Sequence, residues 1–326
     1  MKNKSFYGCK KADIKDKYGL TPRDYYRLFS DGLWTAETCA PRMRKDWTPE
    51  NRTLGQCSIT AFLMQDLFGG RVLGVPLPDG GYHCFNEACG RVFDLTNEQF
   101  GDVLPDYKSA VPQSREVHFK KEEKRERYEL LKSRLFEKLP EVVETERLLL
   151  RPFTANDAGD IAGYLGSIDA HCFLSMKNDA LRNAKKEARK RAADPEYYLA
   201  VALKDTGKVI GEIFGSDEPS DPESSNVCDT FSICWMIGKD YQGKGFAFEA
   251  AKAYIDRLFN DKGFRRVYAY TEDTNTGSRA LCEKLGMRQE GLFLEYVSFV
   301  NGPDGDPLYE NTCQYAILKK ERNKNY

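Results

Sequence analysis

The chain has 326 residues, with 49 Lys plus Arg against 50 Asp plus Glu and a formal net charge of −1. That length predicts two domains, each long enough to bury its own core, and the charge balance gives no electrostatic footprint for nucleic acid or an anionic membrane. No apolar run follows the basic start Met1-Lys2-Asn3-Lys4 or approaches the ~18 residues of a membrane span, so neither signal peptide nor anchor is expected. The 10 cysteines are scattered without a C-x-x-C pair, which points to reduced thiols and a cytoplasmic setting. Cys57, His83, Cys84 and Cys89 are conceivable zinc ligands, but their spacing fits none of the usual patterns and no metal is expected.

Residues 1–118, rich in Gly, Pro, aromatic residues and Cys, form the first predicted domain. Ile59, Phe62, Leu63 and Leu67 keep helical spacing after Gly55-Gln56-Cys57, and Gly69-Gly70 ends the helix. Cys57 therefore sits at a helix N-terminus, where partial positive charge lowers a thiol pKa. Two short strands follow, one carrying Tyr82-His83-Cys84-Phe85-Asn86 and the other Arg91-Val92-Phe93-Asp94-Leu95. A helix cysteine, then a strand histidine, then a strand aspartate is the layout of papain- and transglutaminase-like thiol enzymes, with Cys57 as thiolate, His83 as base and Asp94 as orienting group. A scaffold or binding module with an unreactive Cys57 stays open; there His83 is a hydrogen-bonded core residue and Asp94 caps Thr96. The block Gly-Gln-Cys, Phe-Gly-Gly, Tyr-His-Cys-Phe-Asn and Phe-Asp-Leu-Thr-Asn-Glu-Gln-Phe resembles the small bacterial YunG-like proteins. That resemblance implies a family and little chemistry.

Residues 119–140 alternate acidic and basic side chains around a thin stripe of Tyr128, Leu131, Leu135 and Leu139, read as a charged helical linker that Pro140 stops. The second domain spans 141–326 and opens with an extended strand from Glu141 to Pro152. Tyr197–Leu203 and Val209–Gly215 are apolar runs joined by a turn signal, Ser216 to Ser225 reads as a polar, mobile loop, and Phe231–Ile237 is a third strand. The loop Gln242-Gly243-Lys244-Gly245-Phe246-Ala247 leads into a helix whose apolar face includes Ala251, Tyr254, Ile255 and Leu258. Strand, glycine-bearing loop and helix in that order suit a pyrophosphate, because the glycines admit close approach and the helix N-terminus favours an anion. Arg266–Tyr270 is another strand. Asn275 to Met287 then reads as a capped short helix closed by Gly286.

Glu144 to Leu150, Gln242 to Ala247 and Asn275 to Met287 together resemble the GNAT acetyltransferases, especially the branch that acetylates ribosomal-protein N-termini. The resemblance implies a mixed, centrally splayed sheet flanked by helices. The whole chain is then a two-domain α+β or mixed α/β protein, with a papain/transglutaminase-like first domain. It also implies acetyl-CoA as donor, bound by Trp235, Met236 and Ile237, by Gln242, Gly243, Lys244, Gly245, Phe246 and Ala247, and by Asn275 and Ser278. The acceptor is a primary amine, on a protein N-terminus or a small molecule, that attacks the thioester directly. A backbone N–H of Met236 or Ile237 is expected to stabilise the oxyanion. The family's usual acid position is occupied by Cys282, so Ser278 is named as proton donor, against a helical hydroxyl bonded to backbone. Glu212 is named first as base, before Asp229 and Glu290; a salt-bridged structural role is equally open to it. The departure at Cys282 keeps a second reading open, a CoA-binding protein without turnover. Thiol hydrolase or amide-transfer activity at Cys57 is a third.

Overall fold

A computed structural model describes residues 6–10, 13–78, 80–177, 180–219 and 228–322. The chain divides into two compact units, Met1–Pro140 and Glu141–Tyr326.

In the first unit, α1 (Pro22–Leu28) starts at Thr21, whose hydroxyl and the Asp24 carboxylate form a reciprocal capping box. Helix α2 (Cys57–Phe68) precedes strands β1 (Arg71–Pro76), β2 (Tyr82–Ala88) and β3 (Arg91–Phe93), with β4 (Val111–Pro112) later. They form an antiparallel sheet in the order β3-β2-β1-β4. Cys89 (φ 49°) and Gly90 (φ 69°) are both left-handed, the backbone that a two-residue hairpin between β2 and β3 demands. Ile59, Phe62 and Leu63 of α2 are fully buried in one core with Val72, Cys84 and Phe93 of the sheet.

A one-turn helix α3 (Arg115–Phe119) and the 15-residue helix α4 (Glu122–Phe136) follow in this unit. The segment expected to be a solvated linker is instead an integral part of the core. Tyr128, Leu131 and Leu135 are buried against the α2 side of the same cluster. Arg127, also buried, donates to the carbonyls of Thr38 (3.0 Å) and Gly55 (3.3 Å). A stripe only three residues wide is enough because the charged flank is used to satisfy carbonyls of the loop before α2.

In the second unit the expected single opening strand is a hairpin, β5 (Val143–Glu144) and β6 (Leu148–Pro152). Thr145 turns the chain, its hydroxyl accepting from Leu148 N–H at 2.9 Å. Helices α5 (Ala158–Gly166) and α6 (Leu181–Ala192) lead to β7 (Tyr198–Leu203), β8 (Val209–Pro219) and β9 (Cys228–Ile237). Ser216–Pro219, expected in a loop, extend β8, and residues 220–225 of that expected loop lie outside the described residues. Then follow α7 (Phe246–Asn260), β10 (Arg266–Glu272), α8 (Thr276–Lys284), β11 (Arg288–Asn301), β12 (Pro307–Leu318) and α9 (Lys319–Arg322). The eight strands are ordered β11-β12-β10-β9-β8-β7-β6-β5. All neighbours are antiparallel except β9 and β10, so the sheet is mixed, as expected. Helix α7 covers one face through Ala251, Tyr254, Ile255 and Leu258, and α5 and α6 cover the other through Ile161, Leu165, Ala184 and Ala188. Among the described residues no helix is long and apolar enough to cross a membrane.

Candidate functional site

Strands β9 and β10 pair in parallel at only three positions, from Thr230–Arg266 to Ser232–Tyr268. Beyond them β9 stays bonded to β8 and β10 to β12, so the sheet opens between its two central strands. The opening is a cleft of about 500 Å³ whose walls include residues 233–237 of β9 and 269–272 of β10. Trp235, Met236, Ile237, Gln242, Gly243, Gly245, Phe246, Ala247, Asn275 and Ser278 all line it. Lys244 is the exception: it does not line the cleft, and its ammonium donates to Asp240 O at 2.7 Å.

The loop at one end is held from both sides. Gln242 Nε2 donates to Ile237 O at 2.8 Å, tying the loop entry to the end of β9. Gly243 (φ 71°) and Gly245 (φ 82°) take left-handed backbone, and Gly245 sits at the N-cap of α7 with no side-chain cap. The first-turn amides of a 15-residue helix are thus left to a ligand, and the site fits a phosphate anion. Arg147 braces the outside: Nε donates to Glu249 at 2.7 Å, Nη1 to Lys244 O at 3.1 Å, and the guanidinium lies 4.4 Å from the Phe246 ring centre. Burial would raise the Glu249 pKa, but donors from Thr145 and Arg147 hold it below the usual value.

At the other end, the Asn275 side chain accepts from Ser278 N–H at 3.0 Å and so caps α8. Ser278 Oγ accepts from the Trp235 indole at 3.2 Å, joining the two walls of the cleft. Asn275 Nδ2 donates to Glu272 at 3.3 Å, and Cys172 N–H donates to the same carboxylate at 3.0 Å. Burial pushes the Glu272 pKa up, but these donors outweigh it and hold the group below the ordinary carboxylate value.

Glu272 lines the cleft and sequence reasoning missed it; its available signal was a strand-end carboxylate three residues before the capping Asn275. The three carboxylates named from sequence are elsewhere. Glu212 is fully buried in β8 and bound by Arg191 through two contacts of 2.5 and 2.9 Å, away from the cleft lining. Asp229 pairs with Arg265 at 2.8 Å, and Glu290 pairs with Arg266 at 2.6 Å; neither lines the cleft. An apolar strand accommodates Glu212 because α6 supplies a buried guanidinium, a long-range partner invisible along the chain. Cys282 is fully buried in the core, and burial pushes its thiol up to about 12, so the unusual position carries no acid into the cleft.

The first unit brings its three predicted residues into one cluster. Cys57, partly exposed, is the first residue of α2, which has no side-chain cap. His83 and Asp94 are buried, with His83 Nε2 at 2.5 Å from Asp94 Oδ2. Asp94 also accepts from Thr96 N–H (2.9 Å) and the Tyr107 hydroxyl (2.9 Å), so it both caps and orients. Hydrogen bonds from the Cys84 thiol, from His83 and from Cys84 N–H overcome burial and hold the Cys57 thiol well below its usual pKa. Burial pulls the His83 pKa down, but Asp94, joined by Cys57, raises it to about 10. Among the described residues no cluster of His, Cys, Asp or Glu is arranged to hold a metal ion.

Residues 21–140 match the family described as YunG protein, and residues 147–288 match the family described as Acetyltransferase (GNAT) domain. The uncharacterized N-acetyltransferase YnaD of Bacillus subtilis (strain 168) is 28% identical over 186 residues, which is 56% of this chain and 99% of YnaD. The uncharacterized protein YunG of the same organism is 40% identical over 73 residues, 22% of this chain and 61% of YunG. Among solved structures, a GNAT-family acetyltransferase from Bacillus anthracis is 25% identical with a TM-score of 0.47, covering 56% of this chain and 100% of that one. The chain therefore carries a YunG domain over residues 21–140 and a GNAT acetyltransferase domain over residues 147–288, and it is an acyltransferase.

Proposed function

We propose that the second unit transfers the acetyl group of acetyl-CoA to a primary amine that attacks the thioester directly. The observation that carries this reading is the parting of β9 and β10 into a cleft with a phosphate-suited loop at one end and a buried carboxylate at the other. Bound acetyl-CoA would supply the activated acyl carbon. The uncapped amides after Gly245 would hold its pyrophosphate, and the β9 backbone beside Met236 and Ile237 would align its arm and polarise the carbonyl. Much of the rate would come from fixing amine and thioester side by side.

Glu272 is assigned to the acceptor. As an ionised, fixed carboxylate inside the cleft it binds the substrate as an ammonium ion and provides the first acceptor for its proton, passed on through water. Ser278, aligned by the Trp235 indole and by the Asn275 cap, is assigned as proton donor to the leaving thiolate. The acceptor class is a primary amine on a protein N-terminus or a small molecule.

The test is thiol release from acetyl-CoA by the full chain across peptides with free N-termini, polyamines and amino acids, beside Gly245→Glu. The variant places a carboxylate and a Cβ at a left-handed position (φ 82°) in the anion cradle and should abolish turnover. Undiminished turnover by Gly245→Glu would remove the loop from the reading. Binding of acetyl-CoA without release for any amine would turn the protein into a CoA-binding module.

A further inference from the structure

We propose that Cys57, His83 and Asp94 form a second catalytic site, a thiol centre that takes carboxylic esters or amides and passes their acyl group through a Cys57 thioester.

The geometry divides the labour among the three. Asp94 cannot swing away, since Thr96 N–H, the Thr96 hydroxyl (3.1 Å) and the Tyr107 hydroxyl hold it while His83 Nε2 contacts it at 2.5 Å. With Nε2 committed to Asp94, Nδ1 is the ring nitrogen that remains, with Gln99 Nε2 3.3 Å away and the Cys57 thiol beside the ring. The Phe100 ring stands edge-on to the imidazole at 4.7 Å and limits its rotation. Cys57 is the least buried residue of the three, partly exposed, while His83 and Asp94 are 0% and 1% exposed.

Donors also converge on the sulfur. The Cys84 thiol and backbone N–H and the His83 ring lie against it and draw its pKa down, and α2 begins at this residue with no side-chain cap. The charged or titratable groups that face Cys57 are His83 and Cys84 from β2, His118 from α3 and Lys124 from α4. Lys124 Nζ lies 3.1 Å from His118 Nδ1, burial beside that lysine pushes His118 down to about 4, and burial also pulls the lysine's own pKa down.

In the reaction the Cys57 thiolate forms a C–S bond to the carbonyl carbon. The C–O or C–N bond of the substrate then breaks as His83 gives its Nδ1 proton to the departing alcohol or amine. Water attacks the thioester, its proton passes to His83, and the free acid and thiolate are released.

The probe is p-nitrophenyl acetate, mixed with the reduced full chain in the absence of acetyl-CoA. The expected result is a burst of about one equivalent of nitrophenolate, slower steady release, and an acetyl adduct on the Cys57 peptide. Cys57→Ser should remove burst and adduct without changing acetyl-CoA turnover. Asp94→Asn keeps the shape and should slow acylation ~10²-fold or more while moving its pH profile. If the variant loses its fold, as read by circular dichroism, Tyr107→Phe reports instead: it removes one of the bonds fixing Asp94 and should also move the profile. An adduct spread evenly over the cysteines, a burst that survives Cys57→Ser, or a pH profile unmoved by both the folded Asp94 and Tyr107 variants overturns the proposal. So does oxidation of Cys57 to a disulfide with Cys84 as the sole chemistry found.

Discussion

Replacing Glu212 by Gln separates a structural carboxylate from a catalytic one. Arg191 and Glu212 are both 0% exposed and share contacts of 2.5 and 2.9 Å between α6 and β8. Gln keeps one acceptor oxygen but removes the charge that offsets the buried guanidinium. Breaking a buried pair from one side costs about 3–5 kcal/mol. The low end applies, because the amide oxygen still accepts and Glu187, 27% exposed, still binds Arg191. A loss of about 3 kcal/mol in a domain of 150–250 residues lowers Tm by about 6–12 °C, at ~2–4 °C per kcal/mol. Thermal unfolding read by circular dichroism measures that shift. Acetyl-CoA turnover, measured well below the transition, should stay within about 3-fold of the parent, because a group outside the cleft makes no contact with the reacting atoms. A turnover loss of ~10²-fold with an unchanged Tm would refute this account and restore Glu212 as the base.

Glu272→Gln should do the opposite, lowering kcat/KM for the amine by ~10²-fold or more with little change in affinity for acetyl-CoA, measured by steady-state kinetics and calorimetry. Its pH signature follows from the lowered pKa. A carboxylate depressed in the folded state contributes stability above its unfolded value, ~4.3, and that contribution is lost as pH falls through the lower folded value. The Tm of Glu272→Gln should therefore depend less steeply on pH below ~4.5 than that of the parent. Leu131→Ala removes a fully buried side chain from α4 and should destabilise the first unit by ~2–5 kcal/mol, seen as an earlier unfolding transition; a solvated linker would give no shift.

Much of the acetyltransferase half is readable along the chain because its signals are local. Asn275 caps its own helix, Gly286 takes φ 81° just past it, and Gly243 and Gly245 adopt the left-handed backbone their position between strand and helix implies. The His83–Asp94 contact is local in the same sense, since a short hairpin carries both residues. The acceptor end was not readable. Glu272 becomes a candidate only because Cys172, 100 residues earlier, donates to it, and Glu212 stops being one only because Arg191 arrives from α6.

Sequence by itself determined the helix caps, the glycine-bearing turn between β9 and α7, and the short hairpin that carries His83 and Asp94, since caps, turns and periodicity act over a few residues. Tertiary structure alone decided that β9 and β10 part after three paired positions, that α4 belongs to a core, and that Cys84 lies against Cys57. The physical reason is burial: whether a charge is a base or half of an ion pair, and whether a stripe is a surface or an interface, depends on which distant groups displace its water.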